Sequence, residues 1–443
     1  MYNGTVDLTL LSHPENKTMN KSAQLSAAIA LAATAGFATA GSLDIDRAYA
    51  SELKADAGTR NVLNVGNASN IEVEVGVRFS YTYNTRSDDA SMTLGDDDTT
   101  VGFSFSDVEV RVSGDVTENM HATLSFDFGP DDGVSGSGGV NLEDAYVDWS
   151  VNDDFTLRVG QFVPNFSDEA RTSEFHTLGG YRAVSHEYLN TPSWSQGIEG
   201  WFGGDNWTGT IGFTDGFGTW NTAFNSSAEQ DYSFHARFDF YSDSDKARFN
   251  DQTSWRGSAD GWRIGAGIAF ASMGSTNPSA ATDTDVFYWN ADASYEGDGW
   301  TVRGAAYGYS YDGGTGADFD DLGFMIGGSV FFNDQWELFG RWDCMILDDN
   351  GNGLIAAAAD DTFNFVSIGT NYYFVPESHA AKLSFEVGIS LDETALIGGG
   401  SFSGSSVTGV SPIGSGPGSS GFLGDVSGED GELMFSGTLQ WLF

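Results

Sequence analysis

Seven arginines, Arg78, Arg111, Arg158, Arg237, Arg263, Arg303 and Arg341, stand on seven separate stretches of alternating polarity, each in the polar phase of its stretch. A guanidinium stays charged at any working pH and presents a rigid fork of donors to carboxylates and phosphates. A file of them along one surface could guide anions. The same side chains could equally form a structural network with nearby Asp and Glu residues. A second charged set lies at 163–195 and follows no period: Asp168, Glu169, Arg171, Glu174, His176, Arg182, His186 and Glu187. Asp168, Glu169 and Glu174 are expected to oppose Arg78, Arg111 and Arg158, an acidic loop against a basic wall with a transverse field between them. The alternative is that the loop charges only keep the loop solvated. A third pattern, Asp348-Asp-Asn350-Gly-Asn352-Gly, follows the first half of a calcium loop. Its twelfth position is Ala359, followed by Asp360 and Asp361. Asp348, Asn350 and Asn352 are therefore candidate calcium ligands, with a plain Asn-Gly turn as the other reading.

Alternation is what positions these side chains. From Ile71 to Phe443 the chain reads as sixteen stretches of about ten residues, each wet on one face and apolar on the other. In 71–83, Val73, Val75, Val77 and Phe79 form the apolar face, leaving Glu72, Glu74 and Arg78 opposite. The same phase collects Asp107, Glu109, Arg111, Arg158, His235, Arg237, Asp239, Arg263, Arg303, Glu337, Arg341 and Asp343. Connections alternate in length. Asp115–Glu118, Val151–Asp154, Gly203–Asn206, Glu296–Gly299, Asn333–Gln335 and Val375–Ser378 are tight turns with long segments between them. One connection, 241–259, is longer than this pattern asks. Short turns at one end and long loops at the other describe a transmembrane antiparallel barrel, not a soluble sandwich. Sixteen strands leave a lumen wide enough for water. An arginine facing lipid near the midplane would cost about 2–4 kcal/mol, so the arginine phase is expected to face inward. Five of the seven arginines lie in the half of their strand nearer the tight turns. Trp149, Trp207, Trp262, Trp300, Trp336 and Trp441 gather at those same ends, as an interfacial girdle would.

Composition agrees with this class and excludes others. A formal charge of −44 with five lysines argues against a nucleic-acid partner, which needs clustered cations. Asp88-Asp89, Asp96-Asp97-Asp98, Asp131-Asp132, Asp320-Asp321 and Asp360-Asp361 make the long loops acidic, a mouth that would concentrate cations. The single cysteine, Cys344, rules out an internal disulfide. Met19 with Lys21, the apolar run from Ala27 to Phe37 and Ala38-Thr-Ala40 read as a leader for export, cleaved after Ala40. The expected organisation is an upstream extension plus leader at 1–40, a polar periplasmic extension at 41–70, and the barrel at 71–443.

Residues Leu142-Glu-Asp-Ala-Tyr-Val-Asp-Trp149, then Phe155-Thr-Leu-Arg-Val-Gly-Gln-Phe-Val-Pro164, resemble the phosphate-selective porin O and P family, as does Pro164-Asn-Phe-Ser-Asp-Glu169. The specific match covers about 140–175. The resemblance implies a homotrimeric sixteen-stranded outer-membrane porin whose long third loop, here 163–195, folds into the lumen. The closing strand, with Leu433, Phe435, Gly437, Leu439, Trp441 and Phe443 on one face, resembles that of bacterial outer-membrane barrels, whose terminal Phe is read by the barrel assembly machinery. The expected function is a water-filled diffusion channel for ions and small hydrophilic solutes, embedded in outer-membrane lipid. Loop carboxylates and wall arginines would set its selectivity, with no cofactor beyond a possible calcium in the outer loops. The alternatives are a structural or adhesive barrel with cation-binding loops, or a barrel enzyme. No Gly-rich nucleophile signature accompanies His186, Ser185 and Ser195. Deleting Phe443 is expected to impair insertion into the outer membrane while leaving export intact, which membrane fractionation checks.

Overall fold

The computed structural model describes residues 63–64, 70–85, 99–128, 139–189, 193–224, 230–272, 285–312, 318–348, 361–392, 422 and 431–443. The leader, nearly all of 41–70, Asn350, Asn352 and most of the 392–430 loop lie outside them. Sixteen strands form one antiparallel barrel: β1 Asn70–Thr85, β2 Thr99–Thr117, β3 Met120–Asp127, β4 Asn141–Asn152, β5 Phe155–Phe162, β6 Ser195–Gly204, β7 Trp207–Thr214, β8 Tyr232–Tyr241, β9 Gly261–Ser272, β10 Asp285–Gly297, β11 Trp300–Asp312, β12 Asp318–Phe331, β13 Trp336–Ile346, β14 Thr362–Tyr373, β15 Ala381–Ser390 and β16 Leu433–Leu442. Each pairs with its sequence neighbour, and β16 pairs with β1, so the barrel closes without an exposed edge. At the seam Leu439 sits opposite Phe79 and Gln440 opposite Arg78. Val75 and Phe443 exchange both backbone hydrogen bonds, at 2.7 and 3.0 Å.

The alternation read from the sequence becomes two faces. In β7, Ile211 is 63% exposed and Thr210 3%. In β9, Ile264 and Ile268 are exposed while Arg263 and Ala269 are buried. The outer phase is an apolar surface of Val, Ile, Phe and Leu, suited to acyl chains. The six tryptophans sit close to strand ends at the tight turns: Trp207, Trp300 and Trp336 open their strands, and Trp441 is the next-to-last residue of β16. One irregularity keeps the phase consistent. In β2 the register shifts by a residue, with Arg78 opposite Asp107 and Phe79 opposite Phe105. The resulting bulge at Ser106 lets Phe103 and Phe105 share the outer face with Val108 and Val110.

The long 242–260 connection, between β8 and β9, is an ordered strap at the tight-turn end. It begins with a 3-10 turn, Lys246–Asn250. Trp255 is buried among Phe331, Tyr373 and His379, with ring centroids 5.4, 4.8 and 5.1 Å away. The backbone follows: Gly299 N–H donates to Trp255 O at 3.0 Å and Gln252 N–H to His176 O at 3.1 Å. The strap thus ties four hairpins and the 163–189 segment together. Truncating its anchor, Trp255→Ala, is expected to cost about 3–5 kcal/mol. Denaturant unfolding in detergent micelles checks this, and an unchanged midpoint would remove the strap from the stability of the fold.

Candidate functional site

The residues between β5 and β6 carry the charge that follows no strand period, and their contacts run along the inner phase of the wall. At the entrance, Asn165 N–H donates to Glu199 at 3.0 Å and its side-chain amide to Thr210 at 2.8 Å. Phe166 O accepts from the Asn290 amide at 2.7 Å and from Arg237 at 3.3 Å. That approach depends on Gly267, because a Cβ there would collide with the Phe166 carbonyl. The chain then turns into α1, Asp168–Arg171.

Asp168 ends up among arginines. Arg263 donates to it in a short contact, Arg303 donates at 2.9 Å, and Arg171 pairs at 3.0 Å. Arg303 also lies 3.7 Å from Glu169. Wall carboxylates complete the set: Arg237 pairs with Asp239 at 2.6 Å and Asp292 at 2.8 Å, and Arg263 with Asp292 at 2.9 Å. Four guanidinium groups (Arg171, Arg237, Arg263, Arg303) therefore meet four carboxylates (Asp168, Glu169, Asp239, Asp292) with almost no water. Burial alone would raise the Asp168 carboxyl. Arg263, Arg171, Arg303 and Arg237 together outweigh it and hold the group well below the usual carboxylate range. Burial likewise works to raise Glu169, and Arg303, His186, Arg341 and Arg182 turn the balance downward.

Further along, 3-10 turn Glu174–His176 and helix α2, Val184–Leu189, meet the far wall. Glu174 pairs with Arg78 at 2.5 Å and with Arg182 at 3.6 Å. Lys382 Nζ donates to Thr177 O at 2.7 Å, Gly180 N–H to Glu386 at 3.0 Å, and Arg341 to Tyr181 O at 3.0 Å. Ser185 Oγ donates to Asp343 at 2.9 Å, and Gln440 to Phe175 O at 2.9 Å. Beneath α2, Val184 and Leu189 pack against Tyr307, Met325, Met345, Phe363 and Phe365. Arg182 folds the segment on itself by donating to Thr172 O at 2.9 Å and to Glu169 O.

These contacts correct the expected pairing. Of the three loop carboxylates, only Glu174 meets one of the arginines expected to face it, Arg78. Asp168 and Glu169 bind the opposite arc of the wall at Arg263 and Arg303. Arg111 is taken by Glu109 and Asp144 at 3.1 and 3.2 Å. Arg158 is taken by Asp148 at 2.8 Å and lies 3.9 Å over the Tyr146 ring. The reason is reach: those two arginines have carboxylates on their own or the adjacent strand, which need no loop. His235 pairs with Glu199 on β6 at 2.6 Å. Asp292, Lys382 and Glu386 were overlooked, although polar Asn290, Asp292 and Ser294 alternate visibly with Ala291 and Ala293. Of the calcium candidates, Asp348 lies within the described residues. It accepts from Asp320 N–H at 3.3 Å, and its own N–H donates to Asp321 at 2.8 Å.

A closed barrel of sixteen antiparallel strands, apolar outside and charged within, with one connection bonded along its inner face, defines an outer-membrane porin-type channel. The chain belongs to the phosphate-selective porin O and P family, whose model matches residues 73–311. Similar solved structures include an anion-selective porin from Comamonas acidovorans, 12% identical, with a TM-score of 0.57 over 85% of this chain and 100% of that one. In-vitro folded OmpT of Vibrio cholerae is 12% identical, with a TM-score of 0.54 over 86% and 99%. The channel DcaP of Acinetobacter baumannii is 11% identical, with a TM-score of 0.54 over 86% and 99%. At such identities the likeness is one of fold. No curated protein matches the chain in sequence.

Asp168→Asn removes the loop carboxylate from Arg263 and leaves Arg303 only Glu169 at 3.7 Å, an expected loss of about 3–5 kcal/mol in loop attachment. Hydrogen exchange should quicken across 165–189 while the strands stay protected. In the wild type, a lowered carboxyl contributes fully above its ordinary pKa of about 4 and loses that contribution only on further acidification. Loop protection should therefore be level from pH 7 down to about 5.

Proposed function

We propose that this protein is a diffusion channel for ions and small hydrophilic solutes, with the 163–189 segment folded into the lumen as its constriction. The observation that carries the reading is the run of loop-to-wall bonds from Glu199 on β6 round to Arg78 on β1, all to inner-phase side chains. A loop attached at so many points holds a fixed aperture, and a fixed aperture with charged rims is what discriminates among small solutes. Asp168, Glu169, Arg171, Arg237, Arg263, Arg303 and Arg341 act mainly as the loop's attachment. Glu174, Arg111 and Arg158 line the passage, while Arg78, 3% exposed, anchors Glu174 and Arg182 folds the segment on itself. Export, lipid on the apolar outer face, recognition of the closing strand by the assembly machinery and a homotrimeric state complete the proposal, the last supported by the family and by a trimer form described for OmpT of Vibrio cholerae.

The test is electrical. Purified protein in planar bilayers is expected to give stable steps of ohmic current. A barrel that inserts without conducting would replace the channel with a structural or adhesive role.

A further inference from the structure

We infer that the channel prefers cations, and that its specificity-determining residues are Asp107, Glu109 and Glu143 on the β2–β4 wall, not the loop carboxylates. The inference rests on the reading of the protein as a diffusion channel. Three independent observations support it.

The first is where the loop does not go. Its bonds reach β6 to β11, then β13 to β16, then β1, and α2 packs against Met325 of β12. Among the described residues none of these bonds runs from 163–189 to the inner side chains of β2, β3 or β4. In this reading solute passes between the loop and that arc.

The second is the charge balance on the covered arc. The four guanidinium groups and four carboxylates around Asp168 cancel, and they are sealed: the Arg237 and Arg263 side chains are 0% and 1% exposed. Arg341 is likewise spent on Asp343 and Glu386, at 2.9 and 3.6 Å. Arginines so placed show almost no field to a passing ion.

The third is the opposite balance on the free arc. Glu74, Asp107, Glu109, Asp127, Glu143 and Asp144 occupy inner positions of β1–β4, and Arg78 and Arg111 are the arginines among them. Glu74 is opposite Arg111, and Glu109 opposite Asp127. Glu143 approaches Ser125 Oγ at 3.4 Å, and Asp144 takes Arg111 and the Trp194 indole at 3.2 Å each. Arg78, the cross-strand partner of Asp107, is shared with Glu174 across the passage. Glu174 and Arg111 have side chains 40% and 39% exposed, against at most 1% for Arg237 and Arg263. An ion in the aperture therefore meets Glu174 on one side and, on the other, carboxylates that outnumber the arginines, with Glu109 18% exposed beside Arg111. Low-dielectric walls concentrate such a field and raise the local concentration of the opposite charge.

Reversal potentials in a potassium chloride gradient test this on the full-length protein in planar bilayers. The wild type is expected to pass potassium over chloride by about fivefold or more, the factor that one uncompensated charge at contact distance is worth in water. The preference should shrink in concentrated salt, as screening requires. Asp107→Asn/Glu109→Gln/Glu143→Gln should bring the ratio close to one, and Arg111→Gln should raise it. Heat-modifiable migration and single-channel conductance identify variants that still fold and conduct. Silent bilayers would overturn the channel itself. A conducting wild type with a ratio at or below one would overturn cation preference alone. A cation-selective pore indifferent to the triple change would overturn the choice of residues.

Discussion

A guanidinium can be buried only where carboxylates surround it, and in this barrel that requirement ties the long loop to the wall. The bilayer forbids arginine on the outer face, so every wall arginine turns inward. Once inside and out of contact with water, each needs partners, because a lone buried charge costs several kcal/mol. Asp239 and Asp292 supply part of the neutralisation from the strands. Asp168 supplies the rest from the loop, and it can do so only if the loop lies against β9 and β11. The line along which the loop meets the wall thus follows from the solvation needs of Arg263 and Arg303.

That arrangement divides the interior into two arcs with different tasks. On one, charge is abundant and balanced, and apolar side chains such as Val184, Leu189, Phe363 and Phe365 fill the space between loop and strands. On the other, carboxylates outnumber guanidinium groups. Arg158 shows the boundary, held by Asp148 yet stacked on Tyr146 at the edge of the free arc.

Much of this was legible in the sequence, for a definite reason. A period of two is a local property, so Val73 to Phe79 already declared which face of β1 was apolar and where Arg78 pointed. The turns were equally local, as at Gly203–Asn206. Partner choice was not. Nothing near Asp168 in the chain says that two of its arginines, Arg263 and Arg303, lie 95 and 135 residues away, since that depends on where the loop crosses a closed barrel. The bulge at Ser106 was hidden because one extra residue inverts the phase without changing composition. The 242–260 strap announced itself by length alone, and the burial of Trp255 depends on Phe331, Tyr373 and His379, which sequence distance separates from it.

The seam between β1 and β16 has a kinetic meaning. Every other strand pairs with a neighbour that follows it within a few tens of residues, so hairpins could form as local units. Closure alone joins segments more than three hundred residues apart, with Leu439 meeting Phe79 and Phe435 meeting Tyr83. Loop-closure entropy makes such a long-range contact slow. Until it forms, β1 and β16 each present a row of unpaired N–H and C=O groups, which hydrocarbon cannot satisfy. The open-edged sheet is thus the species most exposed to pairing with another chain, and a cell making this barrel has to hold those two edges apart from others until they find each other.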